Sequence, residues 1–278
     1  MISFLIIILI LCLFVYTYLI CLKPNTGRQE QMKPFENVYI AHRGLFDNSS
    51  SAPENSLAAF QKAVEAGFGI ELDVHLTADR QLVVFHDDSL KRMCGLDKQI
   101  YDCTYQELQQ CTLSTSSETI PLLKNVLKTV NGEVPLIIEI KPKPNCTATA
   151  AALAEMMHDY SGLYCIESFH PAAVAWFRKN KPDVIRGQLS TAFIHNKPYF
   201  IYFLLTNLLF NWYTKPDFIA YDHRFANQFS YKLCRRLYHV KNAAWTIKNE
   251  EQLAQAKKVF QIFIFDSFIP NRNQKTDS

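Results

Sequence analysis

Three stretches of sequence decide the fold: AHRG at residues 41–44, PENSLAAFQKAVEAG at 53–67 and IELDVHLTADRQLVVFHDD at 70–88. The middle stretch predicts a helix that Pro53 opens and Gly67 closes, while the other two carry short apolar strands. Glu71 and Asp73 lie two positions apart in one of these strands, so their side chains point to the same face. Two such carboxylates repel each other unless a cation lies between them, and the pattern therefore predicts a divalent metal site.

A second pair with the same spacing strengthens the metal prediction. Glu139 lies in the apolar run LIIEIK, and Lys141 follows two residues later on the same face. A structural salt bridge explains a single strand-end carboxylate, but three carboxylates beside Lys141 and Arg43 are hard to bury without a ligand. The set contains no cysteine or clustered histidine, which favours Mg²⁺ or Ca²⁺ over zinc. A metal together with two basic side chains suits a phosphate anion.

Two histidines at strand ends, His42 and His86, can supply the base that activates an attacking oxygen and the acid that protonates a leaving alcohol. The near-neutral pKa of a free imidazole allows both roles. Only their position distinguishes this pair, because a lone histidine is more often a hydrogen-bonded core or surface residue. That simpler interpretation applies to the other histidines, which are His75, His158, His170, His195, His223 and His239.

The predicted elements after Pro121 alternate regularly between helix and strand. Such alternation predicts a parallel sheet with helices outside, and the chain length and about eight repeats favour an α/β fold of the closed (β/α)8 TIM-type barrel class. Residues 70–76 and 82–85 are joined by a connection too short for a helical crossover, so we expect a hairpin there. The sequence then predicts nine strands, one more than the eight of such a barrel. Either the hairpin partner or the last strand must therefore lie outside the barrel. Residues 88–120 are polar and irregular and predict a small insertion.

The net charge and the cysteine content indicate which classes of binding partner and metal site to expect. The chain of 278 residues has a net charge of +3 and no run of basic residues, so we expect no nucleic-acid partner. Its 8 cysteines include no Cys-x-x-Cys pair. We therefore expect reduced thiols that behave as small apolar residues, and no zinc site.

Residues 1–22 contain no charged side chain and are long enough to cross a membrane as a transmembrane helix. A cleaved signal peptide is the alternative, but the segment lacks a basic start and a small-residue cleavage site. Basic residues follow the helix, so the positive-inside rule predicts a single-pass cell-membrane protein with a cytoplasmic domain. We expect a linker at 23–36, the folded domain at 37–270 and a disordered tail at 271–278.

One apolar segment, residues 197–215, departs from the alternating pattern. It is short for a membrane span and more hydrophobic than a surface helix needs to be. A buried helix of the barrel is one interpretation. An interfacial helix whose aromatic side chains enter the membrane surface is the other.

Several motifs in order resemble those of a known family. Over about residues 38–266 the chain resembles the glycerophosphodiester phosphodiesterase family, in motifs that read AHRG, PENSLAAF, ELDV, LVVFHDDSLKR, IIEIK and AWTIK. The resemblance implies a (β/α)8 barrel with His42 and His86 as the acid and base. It further implies that the metal ligands are Glu71, Asp73 and Glu139. The phosphate contacts that it implies are Arg43 and Lys141. The residues that it implies close to the substrate are Glu54, Asn55, Glu167 and Trp245.

The reaction that this resemblance implies is hydrolysis of a glycerophosphodiester to glycerol 3-phosphate and an alcohol. A phospholipase-type enzyme acting on lysophospholipids or another membrane lipid is an alternative, because fold and metal do not fix the size of the substrate. The apolar end IFIFDSFIPN at 262–271, where many relatives carry a more polar turn, is compatible with a lipid-derived substrate. A non-catalytic binding barrel is the second alternative, although every expected catalytic and metal-binding residue is present.

Overall fold

The structure is a computed structural model that describes residues 1–194 and 199–271. Its centre is a sheet whose first strand pairs in parallel with both the second and the last, which closes the sheet into a barrel. The strands in chain order are β1 (Tyr39–His42), β2 (Gly69–Leu76), β3 (Leu82–Val84), β4 (Leu136–Ile140), β5 (Tyr164–Ser168), β6 (Arg186–Ser190), β7 (Phe218–Asp222), β8 (Lys241–Ile247) and β9 (Ile262–Phe265). Helices surround this barrel, and the prediction of a (β/α)8 fold is confirmed.

The α-helices follow the alternation seen in the sequence. They are α1 (Ile2–Leu22), α2 (Leu57–Glu65), α3 (Lys91–Cys94), α4 (Tyr105–Leu108), α5 (Leu123–Val130), α6 (Cys146–Met156), α7 (Pro171–Asn180), α8 (Phe200–Thr206), α9 (Asn211–Thr214), α10 (Phe229–Tyr238) and α11 (Glu250–Ala256). The apolar faces of the longer helices form one large core with the outward-facing residues of the strands.

β3 is the strand that lies outside the barrel. It pairs antiparallel with β2, with Val84 opposite Val74 and Leu82 opposite Leu76. The expected hairpin is therefore confirmed. The eight remaining strands fill the eight places of the barrel, which resolves the excess strand in the sequence.

The helix that was expected to begin at Pro53 begins at Leu57 instead. Ser56 is its N-cap, and the Ser56 side chain accepts a hydrogen bond from the first turn. Asn55, just before the cap, has a φ of 58°, a left-handed conformation that a right-handed helix cannot include. Pro53 therefore belongs to a turn, and this turn brings Glu54 and Asn55 to charged residues of the barrel.

The register of the strands brings polar side chains together at the C-terminal end of the barrel. His42 of β1 lies opposite Glu71 of β2. Asp73 of β2 lies opposite Glu139 of β4, which in turn lies opposite Glu167 of β5. Side chains two positions apart share a face, so both acids of β2 point into the barrel. The alternate residues of β2 pack in the core outside the sheet, and these are Ile70, Leu72 and Val74.

Residues 88–120 form an irregular region that has a small core of its own. It contains α3, α4 and a 3₁₀ turn at Ile100–Asp102, and its apolar cluster includes Leu90 and Leu108. Thr104 caps α4 by a reciprocal pair of hydrogen bonds with Glu107. This region packs against the β3 side of the hairpin, beside the end of the barrel where the acids lie.

The segment 23–36, expected to be a linker, packs against the barrel. Residues Glu30–Phe35 form a 3₁₀ helix, and the side chains of Met32 and Phe35 are completely buried. They join the core at the N-terminal ends of the strands, next to residues such as Ile40 and Ile262. These two apolar side chains are the physical reason for the correction, because a solvated linker would expose them to water.

The apolar segment at 197–215 contains two short helices, α8 and α9, where residues 199–215 are described. No residue of α8 is buried, so the interpretation of a buried barrel helix is wrong for α8, whereas Leu208, Asn211 and Thr214 in the following part of the segment are buried. Residues 195–198, with His195, and residues 272–278 of the expected disordered tail lie outside the described residues. The 8 cysteines all lie in the described part and are free thiols.

Candidate active site

Three buried carboxylates form a cluster at the C-terminal end of the barrel. Glu71 and Asp73 come from β2 and Glu139 comes from β4, and one oxygen of each lies within 4.8 Å of the others. Strands of a closed sheet hold such groups rigidly, because hydrogen bonds fix each strand on both sides. The structure thus brings together the three residues that the sequence indicated as metal ligands.

Lys141 follows β4 and lies between two of these carboxylates. Its Nζ is 2.7 Å from Asp73 Oδ1 and 2.9 Å from Glu139 Oε1. Burial by itself would lower the pKa of Lys141, but the two carboxylates raise this pKa above its ordinary value. Burial would likewise raise the pKa of Asp73, but the charges of Lys141, His86 and Arg43 hold it well below its usual range. Both partners of this pair are therefore charged.

The nearby basic side chains do not balance the charges of the other buried acids. Burial, followed by repulsion from neighbouring carboxylates, raises the pKa of Glu71 well above its usual range. The same causes raise the pKa of Glu167, whose Oε2 has no hydrogen-bond partner. Burial also raises the pKa of Glu139 despite the contact with Lys141. A divalent cation would relieve this repulsion, and an all-oxygen donor set suits Mg²⁺ or Ca²⁺, so the residues present fit the expected ion.

The AHRG turn after β1 folds Arg43 back over the cluster. Arg43 has a φ of 59° and Gly44 has a φ of 84°. A Cβ at Gly44 would lie 2.9 Å from the backbone of Ala59, so only glycine fits this position. The turn directs the backbone N–H of Arg43 to Glu71 Oε2 at 3.2 Å and its guanidinium Nε to within 3.5 Å of Asp73 Oδ2.

Glu54 and Asn55 contact the charged residues of the cluster from behind. Asn55 donates its Nδ2 to Asp73 Oδ2 at 2.9 Å. Glu54 accepts hydrogen bonds from Arg43 at 2.8 Å and from Arg92 at 2.6 Å and 2.9 Å. Burial would raise the pKa of Glu54, but these two guanidinium groups and nearby hydrogen bonds lower it to about 2. Both residues were expected close to the substrate, and the structure places them in contact with Arg43 and Asp73.

Each of the two expected catalytic histidines has its Nδ1 held by a carboxylate. His42 Nδ1 lies 3.0 Å from Asp266 Oδ2, and its Nε2 lies 3.8 Å from Glu71 Oε2. His86 Nδ1 lies 2.6 Å from Asp87 Oδ1. Burial lowers the pKa of His42, and the hydrogen bond with Asp266 opposes that shift. A carboxylate on Nδ1 fixes the tautomer and leaves Nε2 to exchange a proton with a substrate.

These residues surround a cavity of about 110 Å³ that opens at the C-terminal end of the barrel. Both histidines, Arg43 and three acids line it, together with an apolar wall. Phe169 and Trp245 form part of that wall, with ring centroids 5.5 Å apart at an angle of 87°. The cavity therefore has an acidic and basic side that suits a metal-bound phosphate and an aromatic side that suits an apolar or neutral group.

The comparison with protein families decides which class of protein this site belongs to. The family model described as "Glycerophosphoryl diester phosphodiesterase family" matches residues 42–262, which includes every strand of the barrel in whole or in part. The chain belongs to this family of enzymes.

Named relatives of the family share about a third of their aligned residues with the chain. A glycerophosphodiester phosphodiesterase of Bacillus altitudinis is 35% identical over 169 residues, which are 56% of this chain and 67% of the relative. A human lysophospholipase D is 35% identical over 144 residues, 47% of this chain and 45% of the relative. With the Bacillus subtilis protein YhdW, the matched parts span 45% to 67% of these relatives' own lengths.

A solved structure supports the fold. An Oleispira antarctica phosphodiesterase, determined in complex with the product sn-glycerol-3-phosphate, superimposes with a TM-score of 0.67 at 25% identity. The match covers 84% of this chain and 94% of that chain. The family fold therefore accounts for the whole barrel, while α1 precedes the matched region.

Sequence reasoning about the family site missed Asp266, Asp87 and Arg92. Asp266 follows β9 directly, and a polar residue at a strand end was the signal that could have identified it. Asp87 follows His86, and its Oδ2 accepts a hydrogen bond from Arg92 Nε at 2.6 Å. Because Arg92 also binds Glu54, it links the two sides of the cluster from within the irregular region.

Proposed function

We propose that the chain hydrolyses glycerophosphodiesters to glycerol 3-phosphate and an alcohol, with a divalent cation bound by Glu71, Asp73 and Glu139. The observation that carries this proposal is one cavity lined by both carboxylate-held histidines and by Glu71 and Glu139, with Asp73 buried next to these two acids. The cation, Mg²⁺ or Ca²⁺, would supply Lewis acidity to the phosphate and the substrate hydroxyl. Lys141 and Arg43 add positive charge next to it, where a phosphate anion binds.

The two histidines divide the proton transfers. One removes the proton from the 2-hydroxyl of the glycerol, and that oxygen attacks phosphorus and forms a cyclic phosphate. The other protonates the departing alcohol, and water then opens the ring while the histidines exchange roles. Asp266 and Asp87 orient the two rings through Nδ1. Either histidine can act first as the base.

The remaining site residues position the reacting groups. Asn55 orients Asp73, and Glu54 holds Arg43 over the cluster. Glu167 reaches the cavity with one unpartnered oxygen, which is available to a hydroxyl of the substrate. Trp245 and Phe169 pack against the part of the substrate that bears no charge.

A lysophospholipid is the second candidate substrate, and one observation favours it. Aromatic rings continue from the cavity wall outward, from Phe169 to Phe193 at 6.0 Å and from Phe193 to Tyr202 at 5.2 Å. A small glycerophosphodiester has no apolar group that could pack along this surface, whereas the single acyl chain of a lysophospholipid can.

We also propose that α1 anchors the enzyme in the cell membrane as a single span, with the catalytic domain in the cytoplasm. α1 is 21 residues long and apolar enough to cross a membrane. Its end is built into the domain, because Leu22 is completely buried and its carbonyl accepts a hydrogen bond from the buried Asn211. Lys23, Arg28 and Lys33 follow it, which by the positive-inside rule favours the cytoplasmic side.

The proposal is tested by release of glycerol 3-phosphate from glycerophosphocholine by the full chain in detergent. EDTA should abolish release, and Mg²⁺ or Ca²⁺ should restore it. The variants His42→Ala and His86→Ala should each lose at least about 100-fold in kcat. His158→Ala is the matched control, because His158 is exposed and distant in sequence from His42 and His86. Its kcat should equal that of the wild type. Turnover that survives EDTA, or either site variant at near-normal rate, would contradict the assignment.

A further inference from the structure

The surface around α8 exposes more apolar area than a water-facing helix needs. Residues 199–214 contain no charged side chain. Phe200 is 73% exposed, and Phe229, the first residue of α10, is 70% exposed. We call this surface the apolar rim, and it comprises Ile194, Tyr199, Phe200, Ile201, Phe203 and Phe229. A contiguous exposed patch of this kind marks a surface that another apolar phase covers.

The apolar rim lies on the catalytic side of the barrel. α8 follows β6, and the Ser190 hydroxyl at the C-terminal end of β6 donates a hydrogen bond to the Leu205 carbonyl at 2.9 Å. The aromatic series that begins at Trp245 and Phe169 in the cavity continues through Phe193 to Tyr202, and from there to Tyr199 at 6.3 Å. The rim is therefore connected to the cavity by a continuous row of rings.

The docking of α1 fixes the direction in which this helix leaves the domain. Tyr18 Oη donates to Ser230 Oγ at 2.7 Å in the first turn of α10. One turn later, the Leu22 carbonyl accepts from Cys234 Sγ at 3.5 Å in the second turn of α10. α10 begins at the catalytic end of the barrel, where β7 ends. α1 runs in the same direction beside it, so the free part of α1 extends past the catalytic end.

The free part of α1 is shorter than the hydrocarbon core of a bilayer is thick. Residues 2–17 make up the part of α1 that precedes the contact of Tyr18 with Ser230. Sixteen residues span about 24 Å at about 1.5 Å per residue, while the hydrocarbon core of a bilayer is about 30 Å thick. A bilayer crossed by α1 must therefore reach down to the level of Ser230. Phe229 precedes Ser230, and the Ser230 hydroxyl donates a hydrogen bond at 2.6 Å to the side chain of Asn207, the C-cap of α8.

We propose that the apolar rim is a bilayer-contact surface, so that the mouth of the catalytic cavity faces the membrane that α1 crosses. The aromatic side chains of the rim lie in the interfacial layer, where such rings are favoured. Substrate enters from the lipid side, with its apolar part along the row of rings from Tyr199 to Trp245. The placement of the rim rests on α1 as a membrane span, and only the route of the substrate rests on the proposed enzymatic function.

The test measures the depth of the rim directly. The full chain is reconstituted in nanodiscs that contain lipids brominated along the acyl chain, and an added tryptophan reports proximity through loss of its emission. Phe200→Trp and Phe229→Trp should be quenched after subtraction of the wild-type signal. Leu237→Trp is the matched control, because Leu237 is 49% exposed at the opposite end of α10. It should keep its emission.

Turnover assays on two substrates distinguish the role of the apolar rim from that of the catalytic residues. Phe200→Asp combined with Phe203→Asp should lower turnover of lysophosphatidylcholine in the same bilayer by about tenfold, because two exposed rings that would enter the membrane interface are replaced by charges. Turnover of soluble glycerophosphocholine should stay at the wild-type rate, as should both activities of Leu237→Asp. If neither substrate is hydrolysed by the wild type, the proposed function fails while quenching still decides the rim.

Either of two results would overturn the proposal. Quenching of Phe200→Trp and Phe229→Trp that does not exceed that of Leu237→Trp would place the rim in water. Alternatively, the reconstituted protein could form dimers that lose their stability in the Phe200→Asp variant without any quenching by lipid. A second copy of the chain, and not the bilayer, would then cover the rim.

Discussion

Asp266 is the residue whose role is most open to a direct test. Its Oδ2 lies 3.0 Å from His42 Nδ1, and it touches no part of the acidic cluster in the contacts of the described residues. We expect Asp266→Asn to lower kcat for glycerophosphocholine by about 10- to 100-fold, because an amide does not select the same imidazole tautomer. KM should change little, since the phosphate-binding residues are untouched. Steady-state kinetics measure both quantities.

The control for Asp266→Asn is Lys248→Ala. Lys248 lies 3.9 Å from the other oxygen of Asp266 and is exposed, so its loss removes a surface charge without touching His42. Kinetics within about twofold of the wild type are expected for this variant. A rise in KM with unchanged kcat in Asp266→Asn would instead indicate a role in binding.

Glu54 makes stability depend on pH in acid. Its pKa is lowered to about 2 in the folded protein, from 4.5 in an unfolded chain. A lowered pKa stabilises the fold fully above pH 4.5, and this contribution is lost as the pH falls from 4.5 to 2. We expect Glu54→Gln to destabilise the protein at pH 7 by on the order of 3 kcal/mol. The difference from wild type should shrink as the pH approaches 2.

Thermal melting of both proteins in detergent between pH 7 and pH 2.5 measures this difference. A matched variant is Glu133→Gln, which removes an exposed carboxylate from the loop after α5. Its melting temperature should follow that of the wild type throughout. A constant gap between Glu54→Gln and wild type across the range would show that the two guanidinium contacts do not shift the pKa of Glu54.

At the level of single residues, the sequence predicted the groups that stand at the ends of recognisable strands. Glu71, Asp73 and Glu139 follow from the period of two along short apolar runs, and His42 follows from its position at a strand end. Arg92 did not follow, because it lies in an irregular region and reaches Glu54 across 38 positions of sequence. Contacts of that range depend on the packing of the insertion, and no local pattern encodes them.

Among the elements, the 3₁₀ helix Glu30–Phe35 has the clearest energetic consequence. Phe35 is completely buried at the N-terminal end of the barrel. We expect Phe35→Ala to lower the free energy of unfolding by about 3 to 5 kcal/mol, because it removes a buried ring and leaves a cavity. Lys33→Ala, in the same 3₁₀ helix but exposed, should melt close to the wild-type temperature. Equal melting temperatures for the two variants would mean that this segment is not part of the folded core.

The elements also show where sequence patterns fail. Residues 23–36 carry Pro24, Gly27 and several charges, which are typical of a linker. Met32 and Phe35 are buried against the barrel, and Asn25 and Arg28 bind Asp217. No periodicity in the sequence marks two apolar residues or such isolated polar contacts. The start of α2 was placed too early for a related reason, since Pro53 is acceptable both in a helix and in the turn before one.

For the whole molecule, the alternation of helices and strands was sufficient to predict a closed barrel, and the short connection after β2 was sufficient to predict the hairpin. The sequence left open which strand the barrel excludes, because closure depends on the pairing of β1 with β9, strands that lie more than 200 positions apart. The placement of α1 against α9 and α10 was equally hidden. It depends on single polar contacts, such as that of Asn211 with the Leu22 carbonyl.

Met32 and Phe35 pack against the N-terminal ends of the strands, opposite the end of the barrel where the candidate cavity opens. In the proposed reaction, both halves of the diester would therefore leave at the C-terminal end of the barrel. The cavity of about 110 Å³ borders a second one of about 700 Å³, and both are lined by His86, Glu139 and Phe169, so the alcohol half of a diester would have room to leave through the larger cavity. If the proposed reaction holds, we expect the phosphate half, which lies next to the most charged groups, to leave last and to act as a competitive product inhibitor.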